Sequence, residues 1–333
     1  MEVIRTMKEI SVIIPTYNRS SLLINTLNAV IKQSIDNSRY EIIIVDDGST
    51  DQTEEIVRRF MNEHDNIAYI KHPSNLGKGA ACNTGINATQ SPLVVFIDDD
   101  IIPAEHWLEA HLNRHKKENK NISVTGLVMY PKEWEKHNNR VKFANFNYAK
   151  NIKLSELNAN GLPPNRWAGG NTSVAKKIIL EAGGFPGINK RGEDVELGYK
   201  LYKMGVPLLF EQKALVFHYS EIIKDIKMEL LHFRKHYYNA PKLISINPEL
   251  FQTVGHWFLF PIDKRYDNLF RIIIKVLLNI FISRRLQKIA LSIERLTYNK
   301  DWLYFKPLYQ YIFACEAKLA FKEGLKELNN IKR

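Results

Sequence analysis

The first hundred residues alternate between short apolar runs, each closed by a polar or glycine-rich stretch, and segments whose apolar positions recur at helical spacing. Glu9–Pro15 (EISVIIP), Tyr40–Val45 (YEIIIV), Ile67–Ile70 and the run ending in Val94–Ile97 (VVFI) read as strands, since they are short, β-branched and bounded by breakers. Between them, Leu22, Leu23, Thr26, Leu27, Val30 and Ile31 line one side of a helix that Ser20 or Ser21 could cap. Thr53–Asn62 makes a second helix, and the glycine-rich loop from Asn75 (NLGKGAACNTG) leads into a third. Strands apolar on both sides, alternating with helices, predict a parallel α/β sheet with helical layers on both faces. Such sheets bind ligands at the carboxyl ends of their strands. Here those ends are Pro15–Arg19, Asp46–Ser49, Gly77–Gly79 and Asp98–Asp100, all polar or glycine-rich.

Farther along, Pro103 is expected to stop strand pairing after the aspartate triplet. Glu105–Lys117 reads as a helix and Ile122–Tyr130 as a strand. Asn138–Asn160 is polar and aromatic without clear period, which predicts an irregular segment beside the site. A strand follows the two glycines before Asn171, and Gly183–Phe185 marks a helix end. Arg191–Gly205 predicts a helix whose acidic start suits the macrodipole. A last strand, Leu208–Phe210 or Ala214–Phe217, leads to His218. Beyond about Ser220, aromatic and basic residues interleave through Leu230–Pro241 and Phe251–Phe270. Leu269–Ile282 is apolar except for Arg271, Lys275 and Asn279, and is expected to be a core helix buried nearly all round rather than one lying in a membrane interface. The boundary implied is a domain over 1–220 and a mainly helical region over 221–333.

Composition changes this picture in one respect. The 333 residues are 45% hydrophobic and 25% charged, as in an ordinary folded protein. The net charge of +11 is concentrated: from Ile222 onward there are 20 Lys and Arg against 10 Asp and Glu. A balanced first part and a basic last third point to an anionic partner for the latter. Two distant cysteines, Cys82 and Cys315, suggest no disulfide framework or metal cluster and suit a reducing, cytoplasmic compartment. No apolar run is long enough to lead to an expectation of a signal peptide or spanning helix.

The candidate chemistry starts at Asp98, Asp99 and Asp100. Three carboxylates leaving one strand repel each other, and a divalent cation carrying a diphosphate would compensate them. A turn or helix cap is the plain structural alternative. Lys78, between Gly77 and Gly79, suits a phosphate. The loop lacks a dinucleotide-binding fingerprint, having neither its third glycine nor its place after the first strand.

Taken in order, SVIIPTYNR, VDDGSTD, NLGKGAACNTG, FIDDD, WAGGN and GEDVELGYKL resemble the motifs of the family 2 glycosyltransferases, which have the GT-A fold. The likeness covers about Ser11–Ser220. It implies an enzyme that moves a sugar, of the hexosyl or N-acetylhexosaminyl kind, from a nucleotide diphosphate (UDP first) to an acceptor hydroxyl. The setting would be bacterial-type polysaccharide or glycoconjugate synthesis. Pro15, Thr16, Tyr17 and Arg19 match the loop that holds the nucleobase, and Asp46 and Asp47 match the pair in which one carboxylate contacts the base. Asp98 and Asp100 form the D-x-D element around the nucleotide and a Mn²⁺ or Mg²⁺ ion, with Asp99 between them. His218 matches a further metal ligand found in part of the family. Trp167, Gly169, Gly170 and Asn171 match a segment lining the donor-sugar and acceptor pocket. Asp194 matches the general base, with Glu193 as its neighbouring alternative and Glu196 orienting the loop. Inverting, single-displacement transfer follows from the resemblance.

Two rival readings are weaker. A sugar-phosphate nucleotidyltransferase would want a glycine-rich, basic signature after the first strand, where PTYNRSS has no glycine. A non-catalytic protein using the basic tail on nucleic acid would need exposed aromatics, and these sit in apolar runs. No nucleic-acid partner is therefore expected. The acceptor is expected to be a glycan, lipid-linked or other hydroxyl compound, and the tail to make a peripheral contact with an anionic membrane at its inner face.

Overall fold

The structure, a computed structural model, describes residues 7–118, 120–157, 161–186, 192–220, 223, 225–246, 259, 262 and 267–331. Arg191 and most of the aromatic run Phe251–Phe270 lie outside the described residues. The chain forms two compact units, one of residues 1–131 and 147–220, the other of residues 132–146 and 221–333.

The first unit is built on eight strands: β1 (Ile10–Thr16), β2 (Tyr40–Asp46), β3 (Ile67–Lys71), β4 (Leu93–Ile97), β5 (Ile101–Pro103), β6 (Ser123–Met129), β7 (Asn171–Ala175) and β8 (Leu208–His218). They form one sheet in the order β3-β2-β1-β4-β7-β6-β8-β5. The half from β3 to β4 is parallel, with Thr16 beside Asp46. β7 runs antiparallel to β4 and β6, and β5 antiparallel to β8, so the sheet is mixed rather than parallel throughout. Helices α1 (Ser20–Val30), α2 (Thr53–Glu63), α3 (Lys78–Ala88), α4 (Trp107–Glu118), α5 (Asn139–Leu157), α6 (Lys176–Glu181) and α7 (Glu193–Lys203) follow in chain order. Alternation along β1 divides the packing between the two faces. Ile10, Val12 and Ile14 join Leu23, Leu27 and Trp107, while Ile13 joins Phe96, Trp167, Ile179 and Leu197. The α/β fold with helices on both faces is the expected one.

Local details differ from the sequence reading. Pro103 does not stop pairing: β5 continues with Pro103 opposite Val216. This costs little because β5 is an edge strand, where a missing N–H can face outward. Neither serine caps α1; Arg19 occupies the cap without a side-chain bond, and the Ser20 N–H goes to Asp51. Asn138–Asn160 is not irregular, since α5 fills most of it. The buried contacts at the start of this helix are largely polar, with Asn139 donating to the carbonyls of Thr297 and Lys300 and Arg140 pairing with Glu294. A search for an apolar stripe passes over such a helix.

In the second unit, α8 (Ile226–Ile246), α9 (Leu269–Phe281), α10 (Arg284–Thr297) and α11 (Lys306–Ile331) make the region mainly helical. Phe143, Phe233, Tyr309 and Phe313 pack ring against ring, and Tyr237, Ala317, Ala320 and Phe321 form a second cluster. The expectation for Leu269–Ile282 is overturned in orientation. It is a helix, but among its described side chains Lys275 is the buried one and the apolar side faces outward, Leu269 being 74% and Ile280 65% exposed. Lys275 turns inward because Asp267 Oδ2 accepts from its ammonium at 2.5 Å. Among the described residues, no helix is long and apolar enough to cross a membrane.

Candidate active site

The site is assembled at the carboxyl ends of β1, β2 and β4 with loops from the second half of the sheet. Pro15 and Thr16 end β1, and the Thr16 hydroxyl donates to Asp99 at 2.8 Å. Arg19 reaches both Asp99 (3.0 Å) and Asp100 (3.1 Å), while Tyr17 is 44% exposed beside them in sequence.

After β2, the two aspartates are buried and bound internally. Asp46 accepts from the Ser49 N–H (2.7 Å) and the Tyr69 hydroxyl (2.5 Å). Asp47 accepts from the N–H groups of Leu76 (2.9 Å) and Gly77 (2.7 Å) and pairs with His72 Nδ1 at 2.7 Å. Asp47 thus fixes the loop that delivers Lys78. His72 and Tyr69 did not stand out in the sequence, because a single histidine or tyrosine at a strand end carries no motif. Gly48 is required at its turn, with φ +84° and the Ser74 backbone 2.7 Å from where a methyl group would sit.

Lys78, the first residue of α3, lies 2.5 Å from Asp98. Burial works against its charge, but Asp98 and then Asp194 outweigh that and hold its pKa well above the ordinary lysine value. Burial also lifts Asp99 to about 6, against the pull of Arg19. For Asp100 burial is outweighed by His218, Arg19 and Lys78, which bring it down to about 2.

The Trp167–Asn171 segment ties this group to the head of α7. The Gly169 N–H donates to Asp194 Oδ2 at 3.1 Å. A methyl group on Gly169 would lie 2.9 Å from Asp194 Oδ1, and one on Gly170 3.0 Å from Asp98 Oδ2. Two adjacent glycines therefore sit against the two carboxylates expected to do different jobs. Burial raises the Asp194 pKa, opposed by Lys78 and assisted by Asp98. Glu193 is raised by burial and by Asp194. Asp194 Oδ1, Glu193 Oε2 and Trp167 Nε1 are buried without a hydrogen-bond partner. Polar atoms left in that state are costly, and a bound polar ligand is one way to satisfy them. Glu196 lies 3.7 Å from Lys200 on α7.

Asn171 is not brought to the pocket by its side chain. Its Oδ1 accepts from Trp107 Nε1 (2.7 Å), and its Nδ2 donates to the carbonyls of Ala214 (2.9 Å) and Leu127 (3.3 Å). His111 contacts both Asn171 and Ser173, and His115 the same Ser173. Burial lowers the two histidines to about 3 and about 4, so this relay is neutral and braces β7. Their i,i+4 spacing on α4 was the available signal.

His218 Nε2 stands 3.4 Å from Asp100 Oδ2, its ring stacked on Tyr130. Asp98, Asp100 and His218 offer the oxygen and imidazole donors that Mn²⁺ or Mg²⁺ accepts, so the residues fit such an ion chemically. Among the described residues, no three carboxylate, histidine or cysteine groups are already gathered around one point; Asp98 faces Lys78, and Asp100 faces Arg19.

Comparison with known proteins identifies the family. The chain is 30% identical over 225 residues to the glycosyltransferase AglE of Haloferax volcanii, covering 66% of this chain and 71% of that one. It is 28% identical over 244 residues to the chondroitin synthase of Escherichia coli, covering 63% of this chain but only 34% of the synthase. Its fold resembles that of the mannosyltransferase PcManGT of Pyrobaculum calidifontis, solved in complex with GDP-Man and Mn²⁺. The TM-score is 0.61 at 18% identity, over 95% of this chain and 86% of that one. The family model described as glycosyl transferase family 2 matches residues 11–178, half of the chain. With a sheet of this type and acidic groups gathered at its strand ends, the chain belongs to glycosyl transferase family 2 and is a glycosyltransferase.

Proposed function

We propose that this glycosyltransferase moves a sugar from a nucleoside diphosphate to an acceptor hydroxyl with inversion, using Asp194 as general base. The observation that carries this reading is the Gly169–Gly170 turn, whose backbone lies so close to Asp194 Oδ1 and Asp98 Oδ2 that a methyl group on either glycine would crowd them. A base and a diphosphate-binding carboxylate can then serve one donor. Asp194 suits the role because its pKa is raised by burial and its Oδ1 has no partner. Glu193 is the neighbouring candidate. Arg19 and Lys78, now paired with the aspartates, supply positive charge for the diphosphate. Asp98, Asp100 and His218 would hold a divalent ion, which when bound would neutralise the departing nucleoside diphosphate. Trp167 and the two glycines would border the donor sugar.

The donor base is proposed as uracil on the motif resemblance of the loops after β1 and β2, although Asp46 and Asp47 themselves are held by internal bonds; PcManGT, solved in complex with GDP-Man, makes guanine the principal rival. A panel of UDP-, GDP- and TDP-sugars with Mn²⁺ distinguishes them. The deciding variant is Asp194→Asn, expected to lower turnover by roughly 10²–10⁴-fold while donor binding persists. Turnover near that of the unaltered protein would remove Asp194 from the role. Release of nucleoside diphosphate, rather than pyrophosphate, excludes nucleotidyl transfer.

A further inference from the structure

The reversed helix α9 has a continuation. Its outward residues Leu269, Phe270, Ile273, Val276, Leu277, Ile280 and Phe281 recur at the spacing of one helical face. On α10, Leu286, Ile289, Ile293 and Leu296 repeat the pattern, while Gln287, Ala290 and Glu294 face inward. Trp302 and Phe305, just after α10, are also exposed, Trp302 by 81%. The joint between the helices is fixed rather than splayed. The Tyr311 hydroxyl donates to the Phe281 carbonyl at 2.7 Å, and Arg284 pairs with Glu316 of α11 at 2.8 Å.

We propose that these outward faces of α9 and α10 dock on the surface of an anionic lipid bilayer. Exposed apolar patches of this extent mark interaction surfaces, and charge chooses the partner. One residue behind each apolar position of α10 runs a second row, Arg285, Lys288, Ser292 and Arg295, all exposed. The three cations form no ion pair among the described residues, whereas Arg284, outside the row, is paired. An apolar row flanked by unpaired cations is the pattern of a helix lying in a lipid headgroup layer. Residues 222–333, with 20 basic against 10 acidic side chains, extend the attraction. At 13 and 14 residues the helices span about 20 Å each, short of a bilayer's roughly 30 Å hydrocarbon core. A second copy of the same face would set this cationic row against itself. The inference does not depend on the transfer reaction.

Co-sedimentation of the whole protein with phosphatidylcholine vesicles, with and without phosphatidylglycerol, tests it. Binding is expected to the mixed vesicles and to weaken with salt. Arg285→Gln/Lys288→Gln/Arg295→Gln should reduce binding roughly a hundredfold, near fivefold per cation. Ile289→Asp/Leu296→Asp should abolish it. Both variants should keep the melting temperature and donor-sugar hydrolysis, since these side chains are exposed and far in sequence from the aspartates. Failure to bind phosphatidylglycerol, or equal binding to phosphatidylcholine alone, overturns the proposal. So does a dimer in light scattering that Ile289→Asp dissociates, which would assign the face to a second copy.

Discussion

The two units distribute polarity in opposite ways. In the sheet unit both faces are packed mainly with apolar side chains, and its buried acids gather at strand ends, where Asp46, Asp47, Asp99 and Asp100 meet N–H groups, hydroxyls or cations, and at the head of α7. In the helical unit, charge is inside. Arg140 Nη2 lies 3.1 Å from Glu294 Oε2, Lys275 meets Asp267, and Glu316 accepts from Arg234, Arg284 and Gln287. Its apolar side chains on α9 and α10 are outside. Apolar packing on both faces of the sheet therefore dominates the first unit, whereas the second relies on paired charges as well as its aromatic clusters. Paired buried charges add less net stability than their number suggests, but removing one partner is severe.

The largest effect that would sharpen this contrast is expected from Arg140→Ala. Glu294, with no exposure, would be left without its partner, costing about 3–5 kcal/mol in denaturant unfolding. Replacing both by apolar residues of similar volume should cost far less. Ile14→Ala, in the core of the sheet, should cost about 2–5 kcal/mol through the cavity it opens. Next is a pH effect in the helical unit. Glu229 is half-buried near Arg140 and Glu294, its Oε2 buried without a partner, and burial pushes its pKa up to about 8 from 4.5. The folded state then holds a proton that the unfolded state has lost between those values. Stability should fall as pH rises through that window, by about 1.4 kcal/mol per unit from this group, and Glu229→Gln should flatten the dependence in thermal melts. The smallest effect belongs to Ile289→Ala, expected within about 0.5 kcal/mol of the unaltered protein because the side chain is 58% exposed. A loss comparable to that of Ile14→Ala would mean that α10 is covered by protein, and the contrast between the units would collapse.

What was legible in the sequence follows the same division. Where apolar runs end in Asp, Gly or Pro, the strand and its loop are both visible, so β1 to β4 and the site residues at their ends could be placed before any coordinates. The Gly169–Gly170 segment was visible as a motif, but its contact with Asp98 and Asp194 joins positions about seventy residues and twenty-five residues away, a distance no local pattern spans. Asn171 was assigned to the pocket by the motif resemblance; β-strand alternation and the Trp107 indole turn its amide into the sheet instead. Helix α5 was hidden by its polar contacts. Helix α9 was visible as a helix, yet its orientation was not, because an apolar face is the same string of letters whether it meets protein or something else. Asp267, eight residues ahead of Lys275, is what draws that lysine inward.

Pro103, opposite Val216 on the rim of the sheet, has a consequence for how the molecule behaves in a crowded solution. Its ring leaves no amide proton with which a foreign strand could extend the ladder, and β5 offers only three residues in all. Fibrillar growth by strand addition is thus discouraged along that border. A residue there with a free amide, such as Pro103→Val, would restore the template for such growth.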